Sequence, residues 1–118
     1  MNTMYKSILF VFLAGFFHLE AQNIAGSYFP AESKCPIYLK IDKNNHFIFT
    51  VKNKKKIQGA AKLSKEDQVL YLDFGRGIGG MFSNDTIYMQ NAGNAMNPYN
   101  HFKECHEMYI HWVKKQNQ

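Results

Sequence analysis

The sequence predicts an all-β fold, a small antiparallel meander closing into a barrel of about eight strands, with a two-sheet β-sandwich as the alternative. Three observations lead there. From Ile24 onward, apolar and polar residues alternate with a period of two, the spacing of a half-buried strand. The alternating runs are about 5–7 residues long, and mostly short stretches of Asn, Asp, Gly, Lys and Ser separate them. After Phe17 no segment keeps the period of a helix. Closure is preferred to an open sheet because a flat eight-stranded sheet would expose edges to association.

The strands are justified in order. Ile24 to Phe29 opens the fold, with Gly26 at a bend and Pro30 as its end, since proline offers no N–H to a ladder. Ile37 to Ile41 places Ile37, Leu39 and Ile41 on one face and Tyr38 and Lys40 on the other. Asp42 to Asn45 supplies turn residues, and His46 to Val51 returns with Phe47, Phe49 and Val51 inward. Ile57 to Leu63 carries Ile57, Gly59, Ala61 and Leu63 inward, where small residues leave room for the large rings of the preceding strand. After the turn Ser64 to Asp67, Gln68 to Phe74 places Leu70, Leu72 and Phe74 inward, against Val69, Tyr71 and Asp73. Gly75 to Gly80 reads as a sharply bent connection leading to the short strand Met81-Phe82, a turn at 83 to 85, and the strand Thr86 to Gln90. The last strand, Glu107 to Val113, sets Met108, Ile110 and Trp112 against Tyr109, His111 and Val113.

Residues 1–21 read as an export signal. Lys6 is the charged start, Ser7 to Phe17 an apolar run of 11 residues, and Ala21 the small residue before a cut at Gln22. The run is shorter than the roughly 20 apolar residues of a membrane span, so none is expected. Residues 22–118 are then one monomeric domain, periplasmic or secreted. Its 97 residues carry 13 basic and 8 acidic groups. The excess can draw an anionic partner, but the charges are spread through turns, and the cluster Lys52, Lys54, Lys55 and Lys56 reads as a solvated hairpin turn. Two cysteines in an exported chain predict a disulfide between Cys35 and Cys105.

Candidate chemistry is sparse. Gly75-x-Gly77-x-x-Gly80 has the spacing of a dinucleotide fingerprint, but Met81 to Asp85 begins a strand and turn where that motif requires a helix N-terminus. His101, Cys105, His106 and His111 lie close in sequence, yet Cys105 is assigned to a disulfide, and residues five apart on a strand face opposite ways. Glu104, Glu107, Asp73, Asp85 and Ser83 form no nucleophile with its base and orienting partner. The expectation is therefore a protein without catalytic residues, metal or cofactor, and without nucleic acid as partner.

The segment Asn91 to His106 keeps no period and is long for a connection in a compact domain. It places Asn at 91, 94, 97 and 100, and its aromatic residues and Cys105 argue for an ordered loop. Asparagine both donates and accepts, so Asn91, Asn94, Asn97, Tyr99, Asn100 and His101 are the candidate binding residues. They serve either as contacts or as the bonds shaping the loop, with Tyr99 and Phe102 plugging one end of the barrel.

The early Gly-x-Tyr (Gly26, Tyr28), the repeated strand-turn-strand units and Gly59 in the fourth strand resemble the small lipocalin-like β-barrel domains of secreted bacterial proteins. The resemblance implies a non-catalytic binding module, recognising a small apolar ligand or a partner protein through loops at one end. No ligand residues transfer from that family to positions here. Leu39, Phe47, Phe49, Leu70, Leu72 and Trp112 are the expected interior, and if they fill it an apolar ligand is shut out. The alternative is a periplasmic inhibitor or immunity protein that blocks an enzyme by inserting the loop.

Overall fold

The computed structural model describes residues 23–32, 34–52 and 55–116. The export signal expected over residues 1–21 lies outside them. Nine strands occur: β1 (Gly26–Pro30), β2 (Ile37–Ile41), β3 (His46–Val51), β4 (Lys55–Ala60), β5 (Lys62–Glu66), β6 (Val69–Gly75), β7 (Ile78–Ser83), β8 (Thr86–Gln90) and β9 (Tyr109–Lys114). They form one sheet in the order β4-β3-β2-β1-β9-β8-β7-β6-β5, and every pairing is antiparallel. The first and last strands meet in its middle, with Tyr28 opposite Lys114 and Pro30 opposite Trp112. The two outermost strands, β4 and β5, are consecutive in the chain. The sheet is thus curled into a nearly closed barrel, and no helix occurs among the described residues.

The expected run Ile57 to Leu63 is divided at Ala61. Up to Ala60 the chain pairs with β3, Phe47 standing opposite Gly59; from Lys62 it pairs with β6, Leu63 standing opposite Leu72. The buried Ala61 donates its N–H to the Asn45 carbonyl (2.8 Å), the last bond to the first half of the barrel. One bent strand therefore serves both halves, which is how eight alternating runs become nine elements. Beyond the bend the inward assignment of Leu63 fails: it is exposed.

Two-residue turns close three hairpins. Asp67-Gln68, Arg76-Gly77 and Asn84-Asp85 all have two successive positive φ angles, from 49° to 76°, the handedness that matches strand twist. The glycine-rich connection is shorter than expected. Only Arg76 and Gly77 turn, while Ile78 to Gly80 pair in β7. Gly80 must lack a side chain because a Cβ there would come within 3.0 Å of Ile87 Cγ2 and 3.2 Å of the Tyr88 carbonyl.

The alternation decides which rings enter the barrel. Leu39, Phe47, Phe49, Leu70, Leu72 and Trp112 are all buried, as are Phe74 and Phe102. Phe49 lies at the centre, its ring 5.0 Å from Phe74, 5.2 Å from Phe102 and 5.2 Å from Trp112, with Phe47 4.9 Å from Phe74. These are contact distances for edge-to-face and tilted pairs, so side chains fill the interior. Trp112 also donates its indole N–H to the Ile37 carbonyl (3.1 Å), which satisfies its polar atom. Tyr28 is wholly buried and donates its hydroxyl to the Ile24 carbonyl (2.6 Å). Burial first, and Asp85 second, push its phenol pKa upward, so it stays a neutral donor.

Gly59 faces Phe47, and a Cβ there would lie 3.3 Å from the ring. Phe49 and Phe74 hold that ring edge-on and it cannot retreat. Gly59→Ala is therefore expected to lower stability by about 1 kcal/mol, overpacking exceeding the entropy gained in the unfolded chain. Chemical denaturation checks this, and an unchanged midpoint would show that Phe47 has slack.

Candidate functional site

The connection from Gln90 to Tyr109 is built around one side chain. Asn91 is fully buried, the only buried polar residue among those described. Its Nδ2 donates to the carbonyls of Cys105 (2.9 Å), Glu107 (3.0 Å) and Phe102 (3.2 Å), and its Oδ1 accepts the Phe102 N–H (2.8 Å). Its backbone carbonyl accepts the His101 N–H (2.9 Å), and its own N–H reaches the Met108 carbonyl (2.6 Å). One amide thus ties both arms of the loop. Phe102 is pulled inward against Phe49 and Trp112, while Cys105 meets Cys35 in a buried disulfide with Cα atoms 4.5 Å apart. Phe102 is the plug; Tyr99 lies outside it, stacked 4.8 Å from His101.

The outer part of the loop is a narrow hairpin. Ala92 bridges Asn100, and the Gly93 N–H donates to the Tyr99 carbonyl (2.9 Å). A Cβ on Gly93 would overlap the Asn97 carbonyl oxygen at 2.0 Å, so the strands of the hairpin close only because this residue is glycine. At the tip, Asn94 Oδ1 accepts the N–H groups of Met96 (3.0 Å) and Asn97 (2.9 Å), an Asx turn. The four asparagines therefore divide. Asn91 and Asn94 are committed to the loop's own bonds, whereas Asn97 and Asn100 point to solvent and make no side-chain hydrogen bond among the described residues. Met96, between Asn94 and Asn97, is 93% exposed. His101 packs near the β6–β7 turn, 3.8 Å from where a Gly77 Cβ would be, and burial holds its imidazole below the ordinary histidine value.

The remaining histidines do not join it. His106 is exposed, Cys105 is in the disulfide, and no three His, Cys, Asp or Glu side chains among the described residues are placed to hold a metal ion. His111 instead meets Glu32, a residue to which sequence reasoning attached no role. Glu32 Oε1 accepts the His111 backbone N–H (3.0 Å) and Oε2 lies 2.6 Å from Nδ1, clamping the chain before Cys35 onto β9. The two residues are 79 positions apart and only the β1–β9 pairing brings them together. Burial alone would raise the Glu32 carboxyl, but the His111 hydrogen bonds outweigh it and hold the carboxyl below the usual glutamate range. No hydroxyl or thiol is hydrogen-bonded to His111 among the described residues, so the pair has the geometry of a clamp rather than of a nucleophile with its base.

A sign follows for acid. A carboxyl whose folded pKa is depressed contributes stability above its unfolded value, about 4.3, and loses it as pH falls through the folded value. Wild type is expected to lose more melting temperature between pH 5 and pH 2 than Glu32→Gln. Parallel acid curves for the two proteins would remove the clamp's role.

Beside the loop, the outer face of β6–β9 carries a groove of about 450 Å³ lined by Tyr71, Met81, Tyr88 and Tyr109 over Gly79 and Gly80. Met81 stands opposite both Tyr71 and Tyr88 in register. The alternation places Tyr71 and Tyr109 on outer faces, but their gathering into one groove depends on strand order, which alternation does not carry. Comparison of the chain with protein-family models, curated proteins and solved structures finds no match.

Proposed function

We propose that the chain is an exported, non-catalytic binding module that recognises a partner protein with the tip of the Asn91 to His106 loop. The supporting observation is that the loop is braced by its own bonds, through Asn91, Asn94 and the disulfide, while presenting Met96, Asn97 and Asn100 to solvent. A preordered loop loses little conformational freedom on binding, which favours affinity. The buried disulfide fits an oxidising compartment, hence the periplasm or the exterior. The ring-filled interior favours partner recognition over an apolar ligand held inside the barrel. A second reading, an inhibitor or immunity protein, is favoured by Met96 alone. An apolar side chain protruding from a two-ended, braced turn is suited to insertion into an enzyme's cleft.

The immobilised protein is expected to retain one stoichiometric partner from envelope or secreted fractions at low salt. The double variant Met96→Ser, Asn97→Ala should lose it with an unchanged melting temperature. Equal recovery by wild type and variant would move recognition away from the loop. Retention of a fluorescent fatty acid by the purified protein would restore the interior-pocket reading.

A further inference from the structure

The barrel's charge is concentrated on one side. Between Ser33 and Leu63 the chain carries eight lysines and one acid, Asp42, whereas from Ser64 to Gln118 five basic residues face six acids. Except for Lys62, which begins β5, the first stretch builds β2, β3 and β4 and their connections, and these three strands are neighbours in the sheet. Lys34, Lys40, Lys52 and Lys56 are exposed there. Among the described residues the close carboxylate contacts are Glu32 with His111 and Asp85 with Lys114, so no carboxylate pairs directly with these lysines, and only Asp42 lies near enough to feel one of them, Lys40. Asp42 is committed to its turn, accepting the N–H groups of Asn44 (2.8 Å) and His46 (3.0 Å). A face with several uncompensated charges holds a sustained positive potential.

Two half-exposed rings interrupt that charge. Phe29 on β1 and Tyr38 on β2 are 43% and 45% exposed and meet edge to face at 5.5 Å. Register places them in a row with Thr50 and Lys56, since Tyr38 stands opposite Thr50 and Thr50 opposite Lys56. The next row, two residues along the strands and so roughly 7 Å away, runs Ser27, Lys40, Ile48 and Gln58. Lys115 closes the other flank with its Nζ 5.9 Å from the Phe29 ring centroid. Beside Tyr38 a hollow of about 380 Å³ is walled by Lys34, Lys52 and Pro36. Ring, hollow and cations thus form one surface.

We propose that this outer face of β1–β4 docks an anionic polysaccharide. The match is chemical. A pyranose ring presents a C–H face that can lie on Tyr38 or Phe29, while its carboxylate or sulfate reaches Lys34 and Lys52 across the hollow, and further sugars place their charges near Lys40, Lys56 and Lys115. A bare polyanion would use the lysines and leave the rings without a role. A bilayer would draw in protruding apolar groups, whereas Phe29 and Tyr38 are half covered by their neighbours and the fully exposed Met96 belongs to a different loop. The surface is separate from the tip of that loop, so its failure would leave the partner-binding reading standing.

The test is fluorescence anisotropy of a labelled heparin oligosaccharide, a sulfated uronate glycan, with the folded protein at about 50 and about 300 mM salt. Wild type is expected to bind at low salt and to weaken at high salt. The double variant Lys34→Gln, Lys52→Gln should lose about tenfold in affinity with an unchanged melting temperature, both side chains being exposed and making no ion pair among the described residues. Tyr38→Thr should lose a similar factor at both salt concentrations, because ring contact is not screened. Binding by both variants equal to wild type would overturn the proposal. So would tighter binding of polyphosphate, of single-stranded DNA or of phosphatidylglycerol vesicles than of the glycan.

Discussion

Replacing Cys35 and Cys105 together by alanine is expected to lower stability by about 4 kcal/mol. The bridge spans 70 positions, and in the chain-entropy treatment a loop of that length greatly restricts the unfolded ensemble. A domain of this size has a total stability of only about 5–15 kcal/mol, so the variant stands near the edge of folding. Urea unfolding reads the effect as a midpoint lowered by about 2–4 M, taking a slope of 1–2 kcal/mol per molar. A local consequence accompanies the global one. Cys105 sits three residues beyond Phe102 and donates its N–H to the Phe102 carbonyl (3.2 Å), so untying it loosens the plug. The single tryptophan, Trp112, lies 6.3 Å from that ring and is wholly buried, and its emission should shift to the red in the native baseline. An unchanged midpoint would mean that the reduced chain already holds these ends together.

Much of the barrel was legible because its strands obey strict alternation between strong turn signals. Ile37 to Ile41, His46 to Val51 and Thr86 to Gln90 begin and end where the pattern does. The pattern fails where closure of the barrel decides. The bend at Ala61 arises because one strand must leave β3 for β6, a demand set by residues far away in sequence, and Leu63 consequently faces solvent. Met108 fails similarly: the loop's bonds to Asn91 delay β9 until Tyr109, and Met108 lies exposed outside it. The loop was legible as a place, through its length and composition, but not as a mechanism. Four asparagines look alike in sequence, and only convergence of the carbonyls of residues 102, 105 and 107 on one amide separates Asn91 from Asn97. Glu32 carried no signal, since its partner is on the last strand. The lysines of the second to fourth strands read singly as turn residues; strand adjacency makes them one face.

Asn91→Ala is expected to cost about 3–4 kcal/mol, because it takes the partner from the buried Phe102 N–H and Cys105 carbonyl and from the part-buried Glu107 carbonyl, and leaves the Phe102 carbonyl with the Cys105 N–H alone. Truncation also opens a cavity, so a near-isosteric change is needed to separate bonding from volume. Asn91→Asp keeps an oxygen for the Phe102 N–H but turns the donor into an acceptor facing the same three carbonyls. At neutral pH that is a buried carboxylate with no cation beside it, and the loss should equal or exceed that of Asn91→Ala. Burial raises such a carboxyl's folded pKa above its unfolded value. Stability from the protonated form is then complete below the unfolded value and lost as pH rises through the folded one. The deficit of Asn91→Asp relative to wild type, measured by urea unfolding at matched pH, should therefore shrink on acidification as the protonated acid regains a donor. The deficit of Asn91→Ala should show no such recovery. A deficit equal in both variants and flat with pH would assign Asn91 to space filling, and the loop's shape would then have to rest on the disulfide and the Phe102 plug alone.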